Sequence, residues 1–285
     1  MRVDEFPAPG TKVGASDFII TGGGCAANAA VTIARLKGRV AFAGPLGGPD
    51  DAASNRILSD LGKEGIDCGG VTRVDGGSAS VSLILLDASG EKTIATRRGL
   101  NLGNVLPKDP AALVADADAV LVDNRFPEFV TEVCRAAQAR KIPIVIDLDL
   151  ATKLNDPLLA LGTHVVASTE ALSAMAGLKD YAGALRKLAE HLSGFVAMTD
   201  GPQGVYWLER GELRHMPAFK VTAIDSLAAG DAFHGGFALA LAQGRPLTEI
   251  FRFASATAAL KCTKFGGAAG APTFAEVEAF LNRNA

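Results

Sequence analysis

A chain of 285 residues, 48% hydrophobic and 21% charged, has enough apolar material for one large domain or two modest ones. Its formal net charge of −3, without a Lys/Arg-rich run, argues against nucleic acid or an anionic membrane as the main partner. Gly, Pro or charged residues interrupt the apolar stretches before roughly 18 residues, so no transmembrane helix is expected.

In chain order, Arg2, Asp4 and Glu5 lead straight into Pro7 and Pro9, which is not the pattern of a signal peptide. Val13–Ile20 reads as partly alternating β-structure, followed by a helix over Ala26–Leu36, a strand over Val40–Gly44 and a helix over Ala52–Glu64. Gly77–Arg97 again reads as β-structure around a turn containing Gly90, too exposed in pattern for a central sheet. Strands are then expected at Ala119–Asp123, Ile144–Asp147, His164–Ala167, Phe195–Thr199 and Ala218–Ile224. Helices are expected at Pro127–Ala139, Glu170–Met175, Tyr181–Leu192 and from Ala229 to about Leu241. Alternation of continuously apolar strands with helices predicts a doubly wound α/β fold, its mainly parallel central sheet covered on both faces. The expected core spans 21–68 and 102–285, with 1–20 and 69–101 forming a small β lid. Such a domain ordinarily opens with an apolar strand, and this chain starts in what reads as the loop after it, so the first core strand is expected upstream of Met1.

Cys25, Cys68, Cys134 and Cys262 lack C-x-x-C spacing and read as reduced thiols of a cytoplasmic protein. The four histidines lack ligand spacing, and no metal ligand set is legible.

The densest chemical signal is Asp225-Ser226-Leu227-Ala228-Ala229-Gly230-Asp231, a small-residue turn opening an apolar helix. Such a turn aims backbone N–H groups at a ligand, and the helix start adds a positive dipole end. Asp231 stands there as a helix cap or as the base that takes a hydroxyl proton in phosphoryl transfer, two readings the residues alone leave even. A second small-residue stretch, Thr21-Gly22-Gly23-Gly24-Cys25-Ala26-Ala27-Asn28, opens the first helix. Taken as a dinucleotide fingerprint it needs an acid at the end of the next strand, and Val40–Gly44 ends without one.

The first of these segments resembles the C-terminal signature of the ribokinase-like (PfkB) sugar kinases, D-T-x-G-A-G-D-x-F-x-G. Asp225, Ala229, Gly230, Asp231, Phe233 and Gly235 match it; Leu227 and Ala228 depart. The second resembles the family's G-G-x-x-x-N-x-A signature through Gly23, Gly24, Asn28 and Ala30. The resemblance implies a ribokinase-like fold and an ATP-dependent sugar kinase using Mg²⁺, with room for K⁺ near the 266–272 loop. It implies that Asp231 is the catalytic base and that Ala228, Ala229 and Gly230 form the anion cradle. Gly23, Gly24 and Asn28 would bind the sugar. Ser168, Thr199, Gly201, Gly204, Ala229, Ser255, Ala259 and Gly267 would flank the nucleotide. The family's N-x-x-E motif is not intact, since Ser168 and Ala171 occupy its ends and Glu170 comes one position early.

Through His215-Met216-Pro217-Ala218-Phe219-Lys220-Val221, Phe233-His234-Gly235 and Phe253-Ala254-Ser255 continuing through Ala258-Ala259-Leu260-Lys261-Cys262-Thr263, the chain resembles the sulfofructose kinase branch of the family. That similarity places Lys12, Thr96 and Arg125 around an anionic head group, against a solvated Lys12 and an Arg125 paired with Asp123 or Asp149. The alternatives are a neutral acceptor of the ribose, fructose or adenosine type, and a catalytically weak sugar- or nucleotide-binding protein. A homodimer through the β lid is the remaining expectation.

Overall fold

The computed structural model describes residues 1–88 and 90–284; Ser89, inside the expected lid hairpin, and Ala285 lie outside the described residues. The chain runs β1 (Arg2–Val3), β2 (Ala15–Asp17), α1 (Cys25–Arg35), β3 (Ala41–Gly47), α2 (Ala52–Lys63), β4 (Asp67–Val74), β5 (Val81–Leu86) and β6 (Lys92–Arg97). It continues through α3 (Pro110–Leu113), β7 (Val120–Asp123), α4 (Pro127–Ala139), β8 (Ile144–Leu148), β9 (His164–Ser168), α5 (Thr169–Ala176) and α6 (Tyr181–Ala189). The last part holds β10 (Phe195–Thr199), β11 (Val205–Glu209), β12 (Glu212–Met216), α7 (Ala229–Ala242), α8 (Leu247–Cys262) and α9 (Phe274–Arg283).

The central sheet has six strands in the order β12-β11-β10-β9-β8-β7, parallel from β7 to β10 and antiparallel through β11 and β12. Its apolar strands serve two cores at once, because successive side chains leave a strand on opposite faces. Ile144, Ile146 and Leu148 of β8 pack with α4, α5 and α6 residues such as Phe129, Leu172 and Leu185. Val145 between them packs on the other face with Phe233, Phe237 and Phe251 of α7 and α8. This is the expected α/β architecture. β1, β2, β5 and β6 make a separate four-stranded sheet in the order β2-β1-β5-β6.

Three features differ from expectation. Residues 218–224 form no strand: Ile224 N–H and Asp225 N–H both donate to the Cys262 carbonyl at the end of α8, so the backbone bonds to a helix terminus rather than a sheet. β3 pairs only with β4, in a two-stranded parallel sheet of its own, and β4 lies astride the expected boundary at 68/69. Two glycines weaken the β signal of β4, yet Gly70 is where a side chain would run into Ala43 and Leu113, each 2.7 Å from an added Cβ. The β11–β12 hairpin was not among the expected elements; its strands are joined at Arg210-Gly211, both with positive φ (51° and 81°), a two-residue turn suited to strand twist.

Parallel pairing brings the carboxyl ends of β7 to β10 to one edge, in register Asp123↔Asp147 and Ser168↔Thr199. Open α/β sheets bind ligands on that edge. β3 and β7 both line a cleft of about 2130 Å³ that also takes in the four-stranded sheet and the starts of α1 and α7. No helix of the described residues is long and apolar enough to cross a membrane.

Candidate active site

The starts of α1 and α7 lack a side-chain cap, with Gly24 (φ 105°) and Ala228 (φ 62°) at the N-cap positions. In contrast, α2, α5, α6 and α9 are capped by Asp51, Ser168, Asp180 and Thr273. An uncapped start leaves N–H groups available for an anion. At α7 the Ala229 N–H donates to the Ser226 carbonyl at 3.2 Å. The Gly230 and Asp231 N–H groups have no acceptor among the described residues. At α1 the Ala26 N–H is taken by Asp123 Oδ2 at 3.1 Å.

Asp231, half-buried in the first turn of α7, accepts a hydrogen bond from Asn28 Nδ2 at 2.6 Å, which ties the two glycine-rich segments together across the chain. Burial pushes Asp231 up to about 7, the nearby Asp147 charge adds to this, and Asn28 opposes it. Asp147 is 5% exposed at the end of β8, and its carboxylate, Asp231 and the Cys25 thiol come within 4.8 Å of one another. Burial also raises Asp147, helped by Asp123 and Asp149, while Arg125 opposes it. The Cys25 thiol is raised by burial and by these same carboxylates and stays protonated. Behind Asp231, the His234 ring lies 2.8 Å from the Gly230 carbonyl, 3.2 Å from the Val166 carbonyl and 3.5 Å from Asp147.

Gly23, Gly24, Asn28, Thr96, Arg125 and Asp231 line the cleft, as do Ala228, Ala229, Gly230 and Gly267. Lys12 is exposed and does not line it. Of the two partners weighed from sequence, the Arg125 guanidinium is ion-paired to Asp149, while Asp123 accepts only the Arg125 backbone N–H at 3.0 Å. Thr96 Oγ1 lies 2.9 Å from Ser82 Oγ.

Ser168, Thr199, Gly201, Gly204, Ser255 and Ala259 lie outside the cleft lining. Ser168 accepts from the Ala171 N–H at 3.1 Å as the α5 cap, beside Thr199 at the sheet edge. Gly201 and Gly204 have φ of 45° and 103°, and a Cβ on Gly204 would meet the Met216 carbonyl at 2.1 Å. Ser255 and Ala259, both 8% exposed, lie on α8. Sequence reasoning missed Asp147 as a neighbour of the base, and it missed Lys261, a fully buried lysine bound to Asp225. The only signals were an acid ending an apolar strand and a lysine inside an apolar helix.

A helix start with open N–H groups, an acid tuned to neutrality in its first turn and polar groups opposite is the equipment of a kinase acting on an alcohol. Residues 1–274 match the description pfkB family carbohydrate kinase. Ribokinase of Haemophilus influenzae is 30% identical over 289 residues, covering 99% of this chain and 94% of the relative. A solved structure from Agrobacterium tumefaciens, provisionally described as a ribokinase, is 36% identical with TM-score 0.92, covering 99% of this chain and 93% of that one. Fructokinase with bound ATP from Xylella fastidiosa is 26% identical with TM-score 0.77, covering 92% and 91% of the two chains. The chain belongs to the pfkB family of carbohydrate kinases, with a ribokinase-like fold, and is an ATP-dependent kinase.

Two predictions follow from this geometry. A base must be ionised, so kcat/KM should fall as pH drops through about 7, the value to which burial brings Asp231. Asp147→Asn removes a neighbouring negative charge, stabilises the Asp231 carboxylate and should move that limb to lower pH; a limb that stays in place contradicts the coupling. Ala228 holds a left-handed conformation (φ 62°) that costs an L-residue about 1–2 kcal/mol. Ala228→Gly should therefore raise stability by about 0.5–1 kcal/mol in urea unfolding, with turnover retained. A loss of turnover would mean that the alanine is adapted to its own turn.

Proposed function

We propose that the enzyme transfers the γ-phosphoryl group of ATP to a hydroxyl of a small neutral sugar, a pentose or ketose. The observation that carries this reading is Asp231: an acid at neutrality, held by Asn28, in the turn whose Gly230 and Asp231 N–H groups are open. Asp231 takes the proton of the acceptor hydroxyl, whose oxygen attacks the γ-phosphorus; the bond to the β-phosphate oxygen breaks and ADP departs. The N–H groups of the turn meet the charge on the transferring oxygens. The nucleotide lies along the edge formed by Ser168, Thr199 and the Gly201–Gly204 turn, with Gly267, Ser255 and Ala259 at its far side. Mg²⁺ neutralises phosphate charge when bound. Glu170, exposed in the first turn of α5 on that same edge, is an oxygen donor of the hard type the ion accepts, directly or through water.

The neutral acceptor is favoured because the Arg125 guanidinium already has Asp149 as its partner and Lys12 lies outside the cleft. The names of the relatives, ribokinase and fructokinase, agree with it. The second reading, an anionic ketose such as sulfofructose, draws on Arg125 lining the cleft, where a guanidinium can hold two oxygens of an anion. We read residues 1–20 and 69–101 as a lid over the core. Its exposed Phe18, Ile20, Val81, Leu83, Ile94 and Leu100 support a homodimer formed through it. The unpaired state of all four cysteines supports a cytoplasmic setting.

ATP turnover with ribose, fructose, fructose 6-phosphate and sulfofructose tests the reading. Sugar-dependent ADP release is expected, highest kcat/KM with a neutral sugar; thermal stabilisation by sugar without ADP release would mark a binding protein. Asp231→Asn should lower kcat by about 10²–10⁴ with ATP binding nearly unchanged; near-normal turnover would reduce Asp231 to a helix cap. Arg125→Ala should alter kcat/KM similarly for all four acceptors. A selective loss of ~2–4 kcal/mol for the anionic ones, the scale for leaving a buried charge unpaired, would establish the second reading instead. Sedimentation should give a dimer at micromolar concentration; a monomer contradicts the lid interface.

A further inference from the structure

The family resemblance implies a monovalent cation near the 266–272 loop, and the structure places a side-chain ammonium there. Lys261, in the last turn of α8, has no solvent exposure. Its Nζ donates to the Asp225 carbonyl at 2.7 Å and to the Lys264 carbonyl at 3.5 Å, and lies 3.3 Å from Asp225 Oδ2. The same Oδ2 accepts from the Gly266 and Gly267 N–H groups at 2.9 and 3.1 Å, while Oδ1 accepts from the Leu227 N–H at 2.8 Å. The ammonium is thus enclosed by two carbonyls and a carboxylate at the junction of the signature turn and the 264–270 loop. An ammonium group and a potassium ion are close in size and choose the same oxygen partners. A free cation does not fit alongside Lys261, because its charge would meet the buried ammonium directly.

We infer that Lys261 is a tethered stand-in for the monovalent cation, and that this enzyme has no K⁺ requirement. Three donors on one nitrogen match the three oxygens presented. Tethering also removes the cost of capturing an ion from solution. The lysine acts through Asp225, which begins the turn carrying Asp231, and so is a positioning residue that never touches the reacting atoms. Burying both charges is tolerated because each is hydrogen-bonded as well as paired.

The test compares wild type, Lys261→Ala and Lys261→Met in KCl and in choline chloride at equal ionic strength, reading thermal unfolding without ligands and kcat with ATP and sugar. Wild type should show less than about a twofold change in kcat and no shift in Tm between the salts. Lys261→Ala opens the pocket, should lose both stability and activity in choline, and should regain about tenfold in kcat with a raised Tm as K⁺ or NH₄⁺ saturates. Lys261→Met fills the space without charge and should not be restored. A saturable K⁺ activation of wild type overturns the proposal, as does an alanine variant that responds to K⁺ no more than wild type. If the alanine variant does not fold, the wild-type response decides alone: insensitivity supports the stand-in and activation overturns it. Because the unfolding readout needs neither sugar nor ATP, it stands even if the kinase chemistry rests on another acceptor.

Discussion

One buried carboxylate, Asp225, receives hydrogen bonds from both segments that frame the site: Leu227 from the signature turn, and Gly266 and Gly267 from the loop after α8. Burial works against its charge, and the hydrogen bonds from Gly267 and Leu227, the Lys261 ammonium and Gly266 more than offset this, leaving Asp225 below the usual carboxylate range. An acid held this way fixes where the chain enters α7. The open N–H groups of Gly230 and Asp231 and the carboxylate of Asp231 follow from that entry point. A weaker junction would let the turn relax, and the left-handed Ala228 is the first place where relaxation would release strain.

Electrostatics at the other end of the site runs the opposite way. Asp123, Asp147 and Asp149 gather at the ends of β7 and β8, and Arg125 is the cation that answers them. The Asp147 carboxylate lies 3.5 Å from His234, itself enclosed by two carbonyls, and close to Asp231 and the Cys25 thiol. The surplus negative charge is unfavourable for folding, but burial first and then the Asp147 and Asp149 charges bring Asp231 up to about 7, where its proton affinity suits a base working at physiological pH. Asp225 and Asp231 are thus two acids six positions apart with opposite shifts. One is surrounded by donors; the other is half-buried with one donor, Asn28, and acids nearby.

Much of the fold was legible because the parallel strands are continuously apolar and the helices between them amphipathic. The pairs Val145/Ile146 and Val196/Ala197 show why: alternate residues feed different cores, so both must be apolar. What was not legible depended on partners far away in sequence. Residues 218–224 carry a strand-like composition, but they form no strand and the Ile224 N–H bonds to the end of α8. β4 has two glycines, and the small size of Gly70 is explained only by Ala43 and Leu113 beside it. In the site, Asp231 and Asn28 could be read from their signatures, and the direct bond between them joins the two motifs. Lys261 could not, because a lysine near a helix end ordinarily reads as a solvated charge favourable to the helix dipole.

The central claim is that the signature turn and the 264–270 loop form one electrostatic unit around Asp225. Amide hydrogen exchange on the wild type and on Asp225→Asn measures this directly, since the substitution keeps the shape and removes the charge. The account predicts that Leu227, Gly266 and Gly267 exchange at least about tenfold faster together, the scale of losing hydrogen bonds to a charged acceptor, while Val165 and Val166 in the central sheet keep their protection. Unchanged exchange at the three amides, or equal acceleration throughout the sheet, would contradict it.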